Sequence, residues 1–350
     1  MSTKTTIVGV GRFLHGAGAL VHLQDEIDAA GGAPLVIGGT TGIELIGPAL
    51  PEQRVDVIRH EGPCTRAAAE RYAQRAAAEG ATVIVGIGGG IVIDLAKAVA
   101  TLADLPIITV PTSIATCVAA SAVSIMYTDD GRPDGSISLT RGIAACIADL
   151  DMIRAAPRRL LNAGVLDTMA KLPELRHPRT VQTGEPHLAQ AGAIVLAAQL
   201  WDFHSALLAV ISADAPVTVE QSSEATLCNL LLTGIISGLC AGDGQLAIAH
   251  SFYDWVRAEV PEVRPRFLHG EIVGVGILIQ KMFNGEDSED TRSLMQRMGA
   301  PTTIADLEIQ MTTARRTSLQ SHLARTTGVA PDGTSQLAAA IARNTGEVHA

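Results

Sequence analysis

Aromatic residues make up only 3% of this 350-residue sequence, although hydrophobic residues reach 47%. A core with so few rings is packed with Ala, Val, Ile and Leu, as in helix-rich α/β enzymes. Positive charge is also scarce. The 26 Lys and Arg against 36 Asp and Glu leave a formal charge of −10, which argues against nucleic acid or an anionic membrane as the main partner. Cys64, Cys117, Cys146, Cys228 and Cys240 are odd in number and contain no C-x-x-C pair, so a reducing cytoplasm fits better than secretion. The opening MSTKTTIVGVG lacks an apolar signal-like stretch, and no apolar run reads as long enough to span a bilayer. A soluble cytoplasmic protein acting on a small molecule is expected, as a homo-oligomer without nucleic-acid or membrane partners.

Generic nucleotide motifs are missing too. In VIVGIGGGIVIDLAKAVA (83–100), position 91 is Ile, so the spacing is not G-x-G-x-x-G, and no Gly-Lys-Ser/Thr follows. What is present is a β-branched run, then Gly86, Gly88, Gly89 and Gly90, then a helical pattern carrying Asp94 and Lys97. Such a turn either exposes helix N–H groups to a phosphate or lets a helix pack tightly on a sheet.

The length exceeds that at which one core usually stops growing, so two domains are expected. Up to about residue 155, strand-like runs at 34–39, 55–60, 82–90, 106–113 and 143–150 alternate with helical patterns, the rhythm of a βαβ domain. Beyond it, stretches such as 192–210 and 222–240 are apolar at helical spacing. The reading is an N-terminal α/β domain, 1–157, and an all-α C-terminal domain, 158–350.

Three residues of the helical half, Asp167, His250 and His269, suit a mixed oxygen and nitrogen metal shell with positions left open for substrate. A lone His on an apolar helix is more often a core residue. Intervals of 83 and 19 residues do not separate the two readings.

Taken in order, GIGGGIVIDLAKAVA, ITVPTSIATCVAASAVSIMY, LLNAGVLDTMAK, AIAH and FLHGEIVGVGI resemble the glycerol dehydrogenase and hydroxycarboxylate dehydrogenase branch of the iron-containing alcohol dehydrogenase family, over about residues 5 to 300. The resemblance implies a dehydroquinate synthase-like fold and an NAD(P)-dependent alcohol or hydroxycarboxylate dehydrogenase. Gly88, Gly89, Gly90 and Asp94 would sit at the dinucleotide, and Thr112, Thr116, Ser121, Val123 and Tyr127 would line its nicotinamide half. Asp167, His250 and His269 would hold a divalent metal. Iron-dependent relatives carry a further His four residues after the Asp; here that position is Lys171, and an ammonium cannot ligate. Zinc is therefore the expected metal, with iron or nickel as alternatives.

This chain departs from the family pattern at three places. Leu172 and Pro173 replace an aromatic pair before Glu174, and Pro173 is expected to kink or end the helix. Cys117 stands where glycerol dehydrogenases place an Asp against the polyol, which points to a 2-oxo acid or hydroxycarboxylate rather than glycerol. Gly38 and Gly39, followed by Thr40 and Thr41, replace the Asp that ends the second strand. With no carboxylate until Glu44, NADP is expected to be accepted at least as well as NAD. Two other classes compete: a carbocycle-forming lyase of the dehydroquinate synthase type, whose Gly-Lys-Thr-Gly segment is replaced here by ASAVSIMY, and a binding protein of this fold with weakened catalysis.

Overall fold

The computed structural model describes residues 6–47, 50, 56–178, 188–210, 216–240 and 247–346. The chain divides into two compact units, Met1–Leu161 with Thr218–Leu239, and Asn162–Val217 with Cys240–Ala350.

In the first unit, strands β1 (Val10–Gly16), β2 (Pro34–Gly38), β3 (Asp56–Arg59), β4 (Val83–Gly88), β5 (Ile107–Pro111) and β8 (Ile143–Asp149) form one parallel sheet in the order β1-β8-β5-β4-β2-β3. Successive side chains alternate between its faces. Leu35, Ile37, Ile84 and Ile107 pack with Leu95, Ala96 and Val99 on one side; Val36, Val85, Ile87 and Ile108 pack with Leu23, Ile27 and Ile43 on the other. Helices α1 (Leu23–Ala29), α2 (Thr40–Ile46) and α4 (Gly90–Ala103) supply these partners, and α3 (Arg66–Ala78) adds Ala68, Ala69 and Ala76 to the first side. Both faces being covered explains the unbroken apolar runs of the central strands.

Three strands carry no such run. Strand β1 is an edge with no fully buried residue, and β6 (Val123–Tyr127) pairs antiparallel with the polar β7 (Pro133–Ser138) as a separate hairpin.

The second unit is helical among the described residues. It contains most of α6 (Arg158–Leu175), then α7 (Leu188–Val210), α10 (Ile248–Glu259), α11 (His269–Asn284), α12 (Glu289–Arg297), α13 (Thr313–Thr327) and α14 (Thr334–Arg343). Two glycines of α11 set its closest approaches. A Cβ on Gly270 would overlap the Ala163 carbonyl of α6, and one on Gly276 would lie 2.6 Å from the Ala249 carbonyl of α10.

Three expectations are corrected. The division falls after Leu161 rather than 157, and α8 (Val219–Thr226), a π-helical stretch Leu227–Leu232 and α9 (Thr233–Leu239) return to the first unit. Small residues make that return close: a Cβ on Gly234 would lie 2.6 Å from the Ala120 carbonyl, and one on Gly238 2.6 Å from that of Ile7. Helix α6 does not end at Pro173 but runs through it to Leu175. Finally, Leu188–Leu208 of α7 is long and apolar enough to cross a bilayer by length and composition alone, with 33% of its window buried. Core helices of soluble proteins meet the same test, and this one carries an exposed Asp202.

Candidate cofactor and metal sites

The glycines after β4 divide the two readings between them. Gly86 serves packing, since a Cβ there would lie 2.6 Å from the Ala96 methyl of α4. Gly88 adopts φ +144°, a conformation that side chains disfavour. Gly89, exposed with open space around its Cα, precedes the first turn of the 14-residue α4. The first backbone N–H groups of a helix have no partner within it, and a side-chain-free turn at that point is the arrangement that receives a phosphate. Thr112 N donates to the Gly88 carbonyl at 3.1 Å, and the Thr116 hydroxyl stands 3.3 Å from where a Gly90 Cβ would lie, so both threonines border the turn.

The other residues expected here play supporting parts. Asp94 is turned inward and pairs with Lys97 at 3.1 Å; burial pushes its carboxyl up to about 6, against the Lys97 ammonium that lowers it. Lys97 is fully buried, and its Nζ donates to the carbonyls of Val118 at 2.9 Å and Ser121 at 3.1 Å, and to that of Val123. Ser121 and Val123 thus contribute carbonyls that fix the loop after β5. Tyr127 packs in the core and donates its N–H to the Cys64 carbonyl at 2.8 Å. From the π-helical stretch, Asn229 donates to the Ile114 carbonyl at 3.3 Å and holds the same loop from the other side. Cys117 is buried in that loop.

At the end of β2, Gly38 and Gly39 differ. A Cβ on Gly38 would lie 2.7 Å from both Ile43 and Ile87, so this glycine is required by packing, whereas Gly39 has room. The turn does border a carboxylate, contrary to expectation: Glu61 lies beyond β3 in the chain but accepts a hydrogen bond from the Thr40 hydroxyl at 3.3 Å.

In the second unit, Asp167, His250 and His269 converge from α6, α10 and the first position of α11, their donor atoms all within 4.8 Å of one another. The Asp167 Oδ1 atom lies 3.1 Å from His250 Nε2 and 3.3 Å from His269 Nε2. Close α6–α11 packing at Gly270 makes this possible. The second nitrogen of His250, Nδ1, donates to Glu174 Oε2 at 2.7 Å, and the His250 backbone N–H donates to Oε1 at 2.9 Å. With Nδ1 committed to Glu174, Nε2 is the nitrogen turned to Asp167, and it becomes a ligand once its proton leaves. The His269 ring meets the edge of Tyr253 with centroids 4.2 Å apart. Gln280 Oε1 accepts the Ile248 N–H at 2.7 Å, fixing the start of the helix that carries His250.

Burial alone would raise the Asp167 carboxyl, but hydrogen bonds from His250 and His269 hold it well below the usual carboxylate range. Glu174 is likewise lowered against its burial by the charge of His250. Burial would lower His250, yet the Glu174 carboxylate raises it to about 9; burial prevails at His269, which is lowered. One carboxylate oxygen and two imidazole nitrogens, with one imidazole anchored by a buried carboxylate, fit a divalent metal. Glu174, Lys97, Asn229 and Glu61 were given no role from sequence. For Glu174 a signal existed: it lies seven residues after Asp167, on the same face of a helix.

The model of the family described as iron-containing alcohol dehydrogenase matches residues 11–149. A glycerol dehydrogenase of Pseudomonas putida is 31% identical over 317 residues, 85% of this chain and 84% of that one. Hydroxycarboxylate dehydrogenase A of Escherichia coli K12 is 27% identical over 327 residues, 87% of this chain and 86% of its own. The solved structure of a probable glycerol dehydrogenase from Sinorhizobium meliloti 1021 superposes with a TM-score of 0.84 at 24% identity, covering 97% of this chain and 99% of that one, and so shares the fold. With its parallel dinucleotide-type sheet, its helical second unit and relatives matched over most of their length, this chain belongs to the iron-containing alcohol dehydrogenase family.

Proposed function

We propose that the chain is a zinc-dependent, NAD(P)-linked dehydrogenase that interconverts a small hydroxycarboxylate and its 2-oxo acid. The family makes it an oxidoreductase. The observation that carries the finer reading is the Asp167–His250–His269 cluster with Glu174 behind it. When bound, the metal supplies Lewis acidity to the substrate oxygen and the nicotinamide takes or gives the hydride, so alcohol plus oxidised coenzyme balances carbonyl, reduced coenzyme and a proton.

The chain's own residues prepare for this. The N–H groups at Gly89 and Gly90 receive the pyrophosphate. Lys97 and Asn229 hold the loop that carries Thr112, Thr116 and Cys117. Glu174 keeps His250 in the ligating tautomer. A buried thiol at Cys117 is a poor partner for polyol hydroxyls, which supports an acid over glycerol.

The test is oxidation of NADH and NADPH by the full chain with 2-oxo acids and neutral carbonyls, and the reverse reaction with glycerol, each with zinc, iron, nickel or a chelator. Turnover with 2-oxo acids that requires metal is expected. Coenzyme turnover that ignores the chelator would refute the metal role, and glycerol outperforming every acid would refute the substrate class.

A further inference from the structure

Helix α10 begins without a cap of its own. The residue before it is Ala247, which has no side-chain acceptor, so the first N–H groups of the helix find their partners elsewhere. Two come from other helices. The Ile248 N–H donates to Gln280 Oε1 of α11 at 2.7 Å, and the His250 N–H donates to Glu174 Oε1 of α6 at 2.9 Å.

Gln280 is fully buried, and every polar atom of its side chain is engaged. Its Nε2 donates to Asn284 Oδ1 at 2.7 Å and to His177 Nδ1 at 3.1 Å. The direction of the second bond is fixed by the far side of the ring. His177 Nε2 lies 3.2 Å from the Thr327 carbonyl, which can only accept, so the proton is on Nε2 and Nδ1 accepts. Asn284 Nδ2 donates in turn to the Pro173 carbonyl at 2.8 Å, a group that α6 leaves open because the His177 N–H bonds to the Glu174 carbonyl instead. These contacts close a ring: from Gln280 to Ile248, along α10 to His250, across to Glu174, back to Pro173 and through Asn284 to Gln280.

We propose that Gln280 is a positioning residue for the metal cluster: by capping Ile248 and, through Asn284, holding the last turn of α6, it sets how His250 meets Glu174 and so presents Nε2 beside Asp167. This rests on the metal reading above. An amide suits the task, since Oε1 and Nε2 demand opposite partners and turning the group over leaves buried donors and acceptors unpaired. An apolar side chain of the same length fills the space without fixing either helix.

The experiment uses the full-length protein, native and with Gln280→Met, Asn284→Ala or Ser318→Ala. Ser318 accepts from the Trp255 indole N–H at 3.1 Å, seven residues beyond Ile248 on the same α10, so its replacement loosens the helix without touching its start. Each protein is followed by urea unfolding, by the visible spectrum and chelator-competed affinity of bound Co²⁺, and, without metal, by the NMR signal of the His250 Nδ1 proton, assigned by its loss in His250→Gln. Gln280→Met is expected to bind Co²⁺ roughly 10-fold or more weakly, with an altered spectrum and a broadened His250 signal. Asn284→Ala shows the same changes at smaller size. Ser318→Ala loses stability but keeps the native spectrum, affinity and signal.

A native spectrum and affinity in Gln280→Met overturns the proposal. So does Ser318→Ala altering both as much as Gln280→Met, which would reduce Gln280 to a contribution to stability. If Gln280→Met does not fold, Asn284→Ala decides, and an unchanged spectrum and His250 signal there overturns the proposal. If native protein binds no Co²⁺, the metal reading fails, while the His250 signal of the metal-free proteins still decides whether Gln280 positions that ring.

Discussion

The two candidate sites are built by opposite means. In the first unit, the turn from β4 into α4 works by lacking side chains: Gly89 is open, Gly88 takes a backbone angle that side chains disfavour, and the offered groups are backbone N–H. In the second, the Asp167–His250–His269 cluster consists only of side chains, brought together from three helices by close packing at Gly270 and Gly276. A backbone site needs only its own strand, turn and helix. A side-chain site depends on the whole packing of its unit, so the two should respond differently to substitution.

The largest expected effect is at the cluster. His269→Ala removes one donor of three, so protein loaded with zinc should lose most of the metal and nearly all activity while still binding NADH. Mass spectrometry and fluorescence titration of the same sample read both, and full zinc occupancy would break the assignment. Next comes the packing beneath it. Gly270→Ala forces a methyl into the Ala163 carbonyl and should destabilise the protein by about 3 kcal/mol in urea unfolding, with zinc weakened as α6 and α11 separate. Near-native stability and zinc retention would mean that the cluster does not depend on that contact.

Glu174→Gln leaves the three donors in place but loosens the tautomer and orientation of His250. Chelator competition should show zinc affinity reduced roughly 10–100-fold. The smallest effect belongs to the backbone site. Under the proposed coenzyme reading, Gly39→Asp, which has room, sets a carboxylate against the 2′-phosphate of NADP and should shift preference from NADPH toward NADH by about 1 kcal/mol, read from kcat/KM for both coenzymes. Gly38→Asp does not test this, because Ile43 and Ile87 leave it no space and unfolding comes first. If Gly39→Asp leaves the preference unchanged, Glu61 at Thr40 already sets it, and Glu61→Gln should then move it toward NADPH.

Much of the first unit was legible because its signals are local. Strands β2, β4, β5 and β8 are buried and read as apolar runs, whereas β1 at the sheet edge and the polar β7 have no reason to do so. The return of Thr218–Leu239 to the first unit was not legible, since Gly234 and Gly238 look like any helical glycines until Ala120 and Ile7 stand against them. Lys97 sits in an apolar helix next to Asp94, which hints at burial, but the carbonyls it caps are more than twenty residues away and come together only in the fold.

The sequence alone determined the alternation of strands and helices, the glycine turn and the types of residue available as metal ligands, because periodicity, backbone freedom and donor chemistry belong to residues and their neighbours. Tertiary structure alone decided that Asp167 meets both imidazoles, that Glu174 fixes His250, that Asp94 faces inward, and that Glu61 stands at Thr40 beside the end of β2. Each of these is an interaction between groups distant in sequence or a choice of facing, and its strength depends on a separation and a burial that only packing sets.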